Sequence, residues 1–248
     1  AGALGVPTSK VRLHVPADIG GSFGIKAGIY PYVVLMALAS KHSGTPVRWT
    51  EDRVEHLLAS SSGADRVMRF AAAVSDDGTV AGLKVDLVDN VGAYLRPPEP
   101  STLYRCFGNI TGPYTIGAVE IRARAVVPNE MPTGLNRGFG GQQLYFGLER
   151  LMDAVAAATG LEPLEVRRRN LIQSFPYETP TGGVYDSGDY PAALELAEKN
   201  ADMDELRARQ ERELTAGFAL ASMEHALARE ACDVGQEGDD VGGRQPRR

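Results

Sequence analysis

The chain has 248 residues, of which 43% are hydrophobic and 23% charged, and a formal net charge of −6. That length suits one large domain or two modest ones, and the composition is that of an ordinary globular chain. The acidic balance excludes a general nucleic-acid binder, whose electrostatic footprint is basic. No apolar run approaches the roughly 18–20 residues that a membrane span needs.

The two cysteines, Cys106 and Cys232, lie far apart, and the four histidines, His14, His42, His56 and His225, form no close cluster. This spacing points away from an iron–sulfur cluster or a structural zinc held by this chain. A reduced, cytoplasmic chain is the simplest reading, and no secretory or lipidation motif is visible. The first residue is alanine, and an alternating segment begins almost at once, as in the interior of a longer protein.

Residues 11–15 alternate apolar and polar and predict a strand that Pro16 ends. The glycine-rich stretch GGSFGIK follows at residues 20–26. Residues 30–39 predict a mostly buried helix, with Pro31 in its first turn and Gly44 as its stop. Residues 47–50 predict a short strand, and Glu51, Asp52 and Arg53 a polar turn or helix start. Residues 66–74 and 79–88 predict two strands joined by Asp76-Asp77-Gly78, whose Asp-Gly pair is a hairpin signal. Residues 97–100 (Pro-Pro-Glu-Pro) predict an extended connection. Residues 119–127 alternate again, with Ile121, Ala123 and Ala125 on one face and Glu120, Arg122 and Arg124 on the other.

A second glycine-rich loop spans residues 129–141. After it Leu144, Leu148, Leu151, Met152 and Val155 mark an amphipathic helix over residues 144–158, which Gly160 ends. Glu162-Pro163 opens a helix through Asn170, and Asp189 with Pro191 opens another, with Ser187 as an alternative cap. No internal repeat is visible. Mixed strands and helices predict an α+β fold, with mixed sheets and packed helices, rather than a doubly wound sheet. Three stretches are expected: a main region over residues 1–200, a charged helical segment over 201–232 with a short apolar patch at 217–223, and a disordered tail over 233–248.

The first glycine loop fails two motif tests. A phosphate-binding P-loop needs Gly-Lys-Ser/Thr, but Ile25 separates Gly24 from Lys26 and Ala27 follows. A dinucleotide Gly-x-Gly-x-x-Gly fingerprint is also absent, so a phosphate-binding transferase has little support. A tight turn before a helix remains the plain alternative. The chemistry recurs, however, at Asn136-Arg137-Gly138-Phe139-Gly140-Gly141-Gln142-Gln143, again before an apolar helix. Glycine lets backbone approach a ligand closely, and a helix start presents unpaired N–H groups to an anion or a polarised oxygen. Gln142 and Gln143 add amide donors and acceptors, and the phenylalanine rings can pack on a planar substrate.

These loops resemble those of the molybdenum-binding large subunit of the xanthine dehydrogenase/aldehyde oxidase family, which includes carbon monoxide dehydrogenase-like enzymes. The Gly-Gly-x-Phe-Gly-x-Lys signature matches residues 20–26, and an Arg-Gly-Phe-Gly-Gly-x-Gln type of loop resembles residues 137–143. Further similar phrases follow in the expected order: Trp49 to Arg53, Gly147 to Arg150, Glu165 to Asn170 and Tyr185 to Tyr190.

The resemblance implies an oxidoreductase that hydroxylates an aldehyde or N-heteroaromatic-type substrate with oxygen from water. Its cofactor would be molybdenum-molybdopterin, in the cytosine dinucleotide form, with 2Fe-2S and FAD on partner subunits. It implies cofactor-binding roles for Phe23, Gly24, Arg137, Gly138, Gly140, Gly141 and Gln142, with the backbone of Phe23 and Arg137 near molybdenum. It implies substrate roles for Arg105 and Phe139. Ala27 departs from purine-oxidising members, which carry a glutamate there, so xanthine is an unexpected substrate.

The family's catalytic glutamate, in a Gly-Glu motif, has no match. Glu230 and Glu237 lie in the unpatterned tail, and the upstream segment with a cofactor-side glutamine is missing. The resemblance covers the first molybdenum-binding half of a longer subunit. The expectation is a truncated or frame-shifted gene, or a partial chain, without turnover by itself. The alternative is a non-catalytic fragment that binds no cofactor alone.

Overall fold

The computed structural model describes residues 1–63 and 65–215. The expected apolar patch at 217–223, the tail, Cys232, His225, Glu230 and Glu237 lie outside the described residues. The elements in chain order are α1 (Tyr30–Ser43), α2 (Arg53–Ala59), β1 (Asp65–Val74), β2 (Val80–Asn90), α3 (Ser101–Tyr104), β3 (Ala118–Val126), α4 (Gly141–Thr159), α5 (Pro163–Asn170), β4 (Tyr177–Glu178), β5 (Val184–Tyr185), α6 (Tyr190–Ala201) and α7 (Met203–Thr215). The fold is α+β, as expected. One sheet has the order β1-β2-β3, and a second pairs β4 antiparallel to β5, with Tyr177 opposite Tyr185. Among the described residues, no helix is long and apolar enough to cross a membrane.

The chain divides into two compact units. The first comprises Ala1–Arg69, Val85–Phe107 and Ile121–Leu144; the second comprises Phe70–Lys84, Gly108–Glu120 and Tyr145–Arg248.

The second unit holds most of the core. Val80 and Leu83 of β2, Ile110, Tyr114, Ile116, Leu148, Met152, Val155, Val166 and Ile172 are all buried. In α4 the residues three and four apart turn one stripe inward, although Leu151 is only half-buried. Gly160 closes the helix at φ 69°. Glu162 caps α5, its carboxylate accepting the Leu164 and Glu165 amides, with Pro163 in the first turn. Asp189, rather than Ser187, caps α6 through the Ala192 amide. The Tyr114 hydroxyl donates to Glu149 Oε1 at 2.8 Å, and Arg167 Nε donates to Glu149 Oε2 at 2.7 Å. Burial, reinforced by the Glu149 charge, pushes the Tyr114 phenol up from its ordinary value.

The β1–β2 turn shows why Asp-Gly works there. Ser75 N–H donates to the Thr79 carbonyl at 2.9 Å, and Gly78 takes φ 85°. The Asp77 carboxylate accepts both the amide and the hydroxyl of Thr79, which lowers its pKa. Buried Asn170 locks this turn from α5. Its Oδ1 accepts the Val80 amide at 2.8 Å, and its Nδ2 donates to the carbonyls of Gly78 and Val166.

The first unit departs from expectation in four places. α1 forms as predicted, with Pro31 in its first turn and Gly44 closing it at φ 67°, but none of its residues is buried. Described residues cover it only in part: Tyr32 is half-buried, its ring against Trp49 and its hydroxyl donating to the Ala59 carbonyl, while Tyr30, Val33, Leu35 and Leu38 stay exposed. Residues 11–15 and 47–50, expected as strands, take no regular secondary structure and join no sheet among the described residues. Residues 97–100 fold into a turn rather than an extended link, and lead into α3. β3 also differs from a half-buried strand, since Ala123 and Ala125 are exposed along with Arg122 and Arg124. α2 opens on a capping box in which the Asp52 carboxylate accepts the Glu55 amide and Glu55 accepts the Asp52 amide.

Asn170→Ala should strand the Val80 amide and two carbonyls in a buried place. The expected loss is about 2–4 kcal/mol in urea unfolding of the whole chain. A change below about 0.5 kcal/mol, the size of an ordinary surface substitution, would show that Asn170 does not lock the turn.

Candidate functional site

The two glycine loops both belong to the first unit, and a hydrogen bond joins them. The Arg137 amide donates to the Phe23 carbonyl at 2.6 Å. Phe23 sits at φ 52°, a left-handed conformation that costs a non-glycine residue energy. Gly24 follows at φ 105°, and a Cβ there would lie 1.9 Å from Leu135 Cδ1 and 3.0 Å from the Leu135 carbonyl. Gly24 is therefore required twice, by its dihedral and by the close approach of the other loop. Lys26, in the short turn before α1, reaches Glu51 Oε2 at 3.7 Å, and His56 Nδ1 lies 3.0 Å from the same oxygen.

The second loop is shaped by Gly138 at φ 78° and Gly140 at φ 80°. A Cβ on Gly140 would come within 2.6 Å of the Thr102 carbonyl. That carbonyl is itself fixed, because it accepts from Arg66 Nη2 at 2.8 Å, and Arg66 forms a two-point pair with Asp89. Both side chains of that pair are almost fully buried. β1, β2 and α3 thus hold the surface on which Gly140 rests. The Gly141 amide closes onto the Gly138 carbonyl, and the Gln142 side-chain amide donates to the Arg137 carbonyl. The amides of Gly138, Phe139 and Gly140 have no acceptor among the described residues. They lie directly before α4, where the helix start reinforces their attraction for negative charge.

Arg105 and Phe139 come together. The guanidinium carbon of Arg105 stands 4.3 Å from the centroid of the Phe139 ring, a cation–π contact, and Arg105 has no acidic partner among the described residues. One face of Phe139 is therefore occupied. Cys106 lies beside them, its Sγ 3.9 Å from the Phe139 carbonyl. Burial raises its thiol pKa, against the opposing pull of Arg105 and Arg66.

The structure gives the two glutamines different places. Gln142 is spent on closing the loop, whereas Gln143 Oε1 is buried without a partner. Leu135, Thr102 and the Arg66–Asp89 pair are functional supports that motif matching does not reveal. Their only signal in the sequence is the unusual glycine content of the loops they touch. Among the described residues, no three His, Cys, Asp or Glu side chains gather into a metal site.

A family profile described as the molybdopterin cofactor-binding domain matches residues 1–171. The chain belongs to this family. It is similar to the nicotine 6-hydroxylase large subunit of Paenarthrobacter nicotinovorans, with 35% identity over 221 residues, covering 88% of this chain and 27% of that one. It is also similar to the carbon monoxide dehydrogenase large chain of Hydrogenophaga pseudoflava, with 36% identity, covering 83% and 26%. Among solved structures, quinoline 2-oxidoreductase from Pseudomonas putida 86 matches with a TM-score of 0.75 and 33% identity, covering 81% of this chain and 26% of that one. Carbon monoxide dehydrogenase from Oligotropha carboxidovorans matches with a TM-score of 0.78 and 30% identity, covering 86% and 27%. The chain thus spans about a quarter of the length of these relatives.

Gly24→Ala should loosen the join between the loops. Hydrogen exchange at the Arg137 amide is expected to rise at least about tenfold, with partial recovery in Gly24→Ala/Leu135→Ala, which removes the clash but not the dihedral strain. Unchanged exchange in the single variant would mean that the close approach does not matter.

Proposed function

We propose that this chain is the part of a molybdenum hydroxylase large subunit that walls one side of the cofactor pocket. The observation that carries this reading is the clasp of the two glycine loops, which leaves the Gly138, Phe139 and Gly140 amides free beside a helix start. Such a wall fits a cofactor whose metal is held by its own organic ligand and touches protein mainly through backbone. The unpartnered Gln143 Oε1 supplies a buried acceptor next to it. Phe23, Gly24, Arg137, Gly138, Gly140, Gly141 and Gln142 would form or support this wall. When bound, the molybdopterin cofactor, in its cytosine dinucleotide form, would supply two-electron oxidation with oxygen from water.

The substrate side is Arg105 and Phe139. Arg105 can donate hydrogen bonds to negative charge developing on a substrate oxygen or ring nitrogen. Phe139 has its other face or its edge left for a planar ring. Relatives named for nicotine and quinoline oxidation support an N-heteroaromatic substrate, with an aldehyde as the other member of the class. Ala27 offers no side-chain hydrogen bond, which disfavours a purine. The base for the reaction would come from polypeptide other than the described residues. Electrons would leave through 2Fe-2S and FAD groups on partner subunits in a cytoplasmic complex. The second reading is a fragment that binds no cofactor by itself, and the absence of a match to the family's Gly-Glu motif favours it for the chain alone.

Metal analysis separates the two readings. The chain purified with co-expressed partner subunits should carry molybdenum and release a cytosine nucleotide on acid hydrolysis, while the chain alone reduces no dye with an aldehyde or N-heterocycle. Dye reduction by the isolated chain, or a co-purified complex without molybdenum, would contradict the proposal. In a loaded complex that also contains the polypeptide supplying the base, Arg105→Gln should lower kcat/KM about 10²-fold or more while leaving the molybdenum content unchanged. An unaltered kcat/KM would remove Arg105 from the substrate site.

A further inference from the structure

Glu99 is a buried carboxylate that neither the cofactor wall nor the substrate side uses. It is 8% exposed. The other buried carboxylate among the described residues, that of Asp89, is paired with Arg66, whereas no cation among the described residues pairs with Glu99. Its donors are instead both on Thr102. Oε2 accepts the Thr102 amide at 3.2 Å, and Oε1 accepts the Thr102 hydroxyl. The sequence explains this reach. Pro100 stands at the N-cap of α3 and has no side-chain oxygen to offer, so the longer side chain just before it supplies the acceptor. A buried carboxylate satisfied only by neutral donors costs desolvation that a neutral cap would avoid. What the charge adds is firmness, since charge-assisted hydrogen bonds are shorter and stronger than neutral ones.

Both ends of this segment are tied down. Upstream, the Arg96 guanidinium donates to the carbonyls of Gly28 and Ala59, each at 3.3 Å, and the Arg96 carbonyl accepts the Glu99 amide at 2.8 Å. Downstream, the Arg105 amide donates to the Ser101 carbonyl at 3.0 Å, which closes α3 on Arg105. The Arg105 guanidinium has the Phe139 ring beside it and no acidic partner among the described residues to fix its direction. Its placement therefore depends on the turn that carries it. The Thr102 carbonyl is held separately by Arg66, so the support beneath Gly140 does not need Glu99.

We propose that Glu99 is a positioning residue for the oxidation reaction. Acting through Thr102, its carboxylate fixes the turn that aims the Arg105 guanidinium. This inference rests on the reading that Arg105 faces the substrate.

The first measurement uses the full chain without molybdenum. Glu99→Ala should speed exchange at the Thr102 and Arg105 amides about tenfold or more. It should also move the Arg105 side-chain NMR signals away from the positions that the Phe139 ring current imposes. Exchange at the Gly134 amide, which donates to the Ser62 carbonyl at 3.1 Å, reports that the first unit stays folded. If Glu99→Ala fails that control, the Thr102 variants decide.

The second measurement uses a loaded complex that also contains the polypeptide supplying the base. There Glu99→Ala should lower kcat about thirtyfold or more, with KM within about threefold and the molybdenum content unchanged. Thr102→Val, which removes only the hydroxyl donor, should lower kcat in the same direction, and Thr102→Ser, which restores it, should recover most of that loss. Glu99→Ala/Arg105→Gln should be no slower than Arg105→Gln alone, because Glu99 acts through Arg105, whereas a role in stability alone would make the losses add. An unchanged kcat in the Glu99 and Thr102 variants beside an impaired Arg105→Gln would overturn this inference and leave the substrate role of Arg105 standing. So would additive losses, or equal losses in Thr102→Val and Thr102→Ser. Full kcat/KM in Arg105→Gln would overturn both.

Discussion

The candidate site depends on the hydrogen bond from the Arg137 amide to the Phe23 carbonyl. It brings together two loops far apart in the sequence, and everything near it is arranged so that they can touch. Gly24 has no side chain because Leu135 occupies that space, and Gly140 has none because the Thr102 carbonyl does. Thr102 is held in turn by Arg66, whose charge is balanced by Asp89 in a nearly dry setting. Truncating one member of such a pair leaves an uncompensated buried charge, so this support would not be lost cheaply. With the loops fixed, the next three amides and the Arg105–Phe139 stack follow.

Stability and function draw on different parts of the molecule. The second unit has a dense apolar core, with buried Asn170 fully hydrogen-bonded inside it and the Tyr114–Glu149–Arg167 cluster at its half-exposed edge. The first unit carries both glycine loops and a smaller share of the buried apolar side chains, chiefly Val85, Leu87, Val91 and Leu144. Its order rests on that small apolar cluster together with backbone contacts, caps and one buried ion pair.

The sequence made some of this legible and left the rest hidden, for physical reasons. Helix ends were readable because caps are local: Asp52, Glu162, Asp189, Gly44 and Gly160 act on neighbours within a few residues. Both glycine loops were readable as sites of close approach. What they approach was not, because Leu135 and Thr102 are ordinary residues whose role comes only from position. Alternation at residues 11–15 and 47–50 reports which side chains prefer a sheet face, but it cannot supply the neighbouring strand. The apolarity of α1 likewise reports a demand for burial and not its fulfilment. Adjacent Gln142 and Gln143 are alike in sequence, yet they point about 100° apart at a helix start. Only the structure distinguishes the loop-closing amide from the buried, unpartnered one.

Amide exchange at the second loop tests the central claim most directly. In a complex of this chain with its partner subunits, loading with the molybdenum cofactor should slow exchange at Gly138, Phe139 and Gly140 about tenfold or more, while the Val80 amide held by Asn170 stays unchanged. Stoichiometric molybdenum with no change at those three amides would contradict the account.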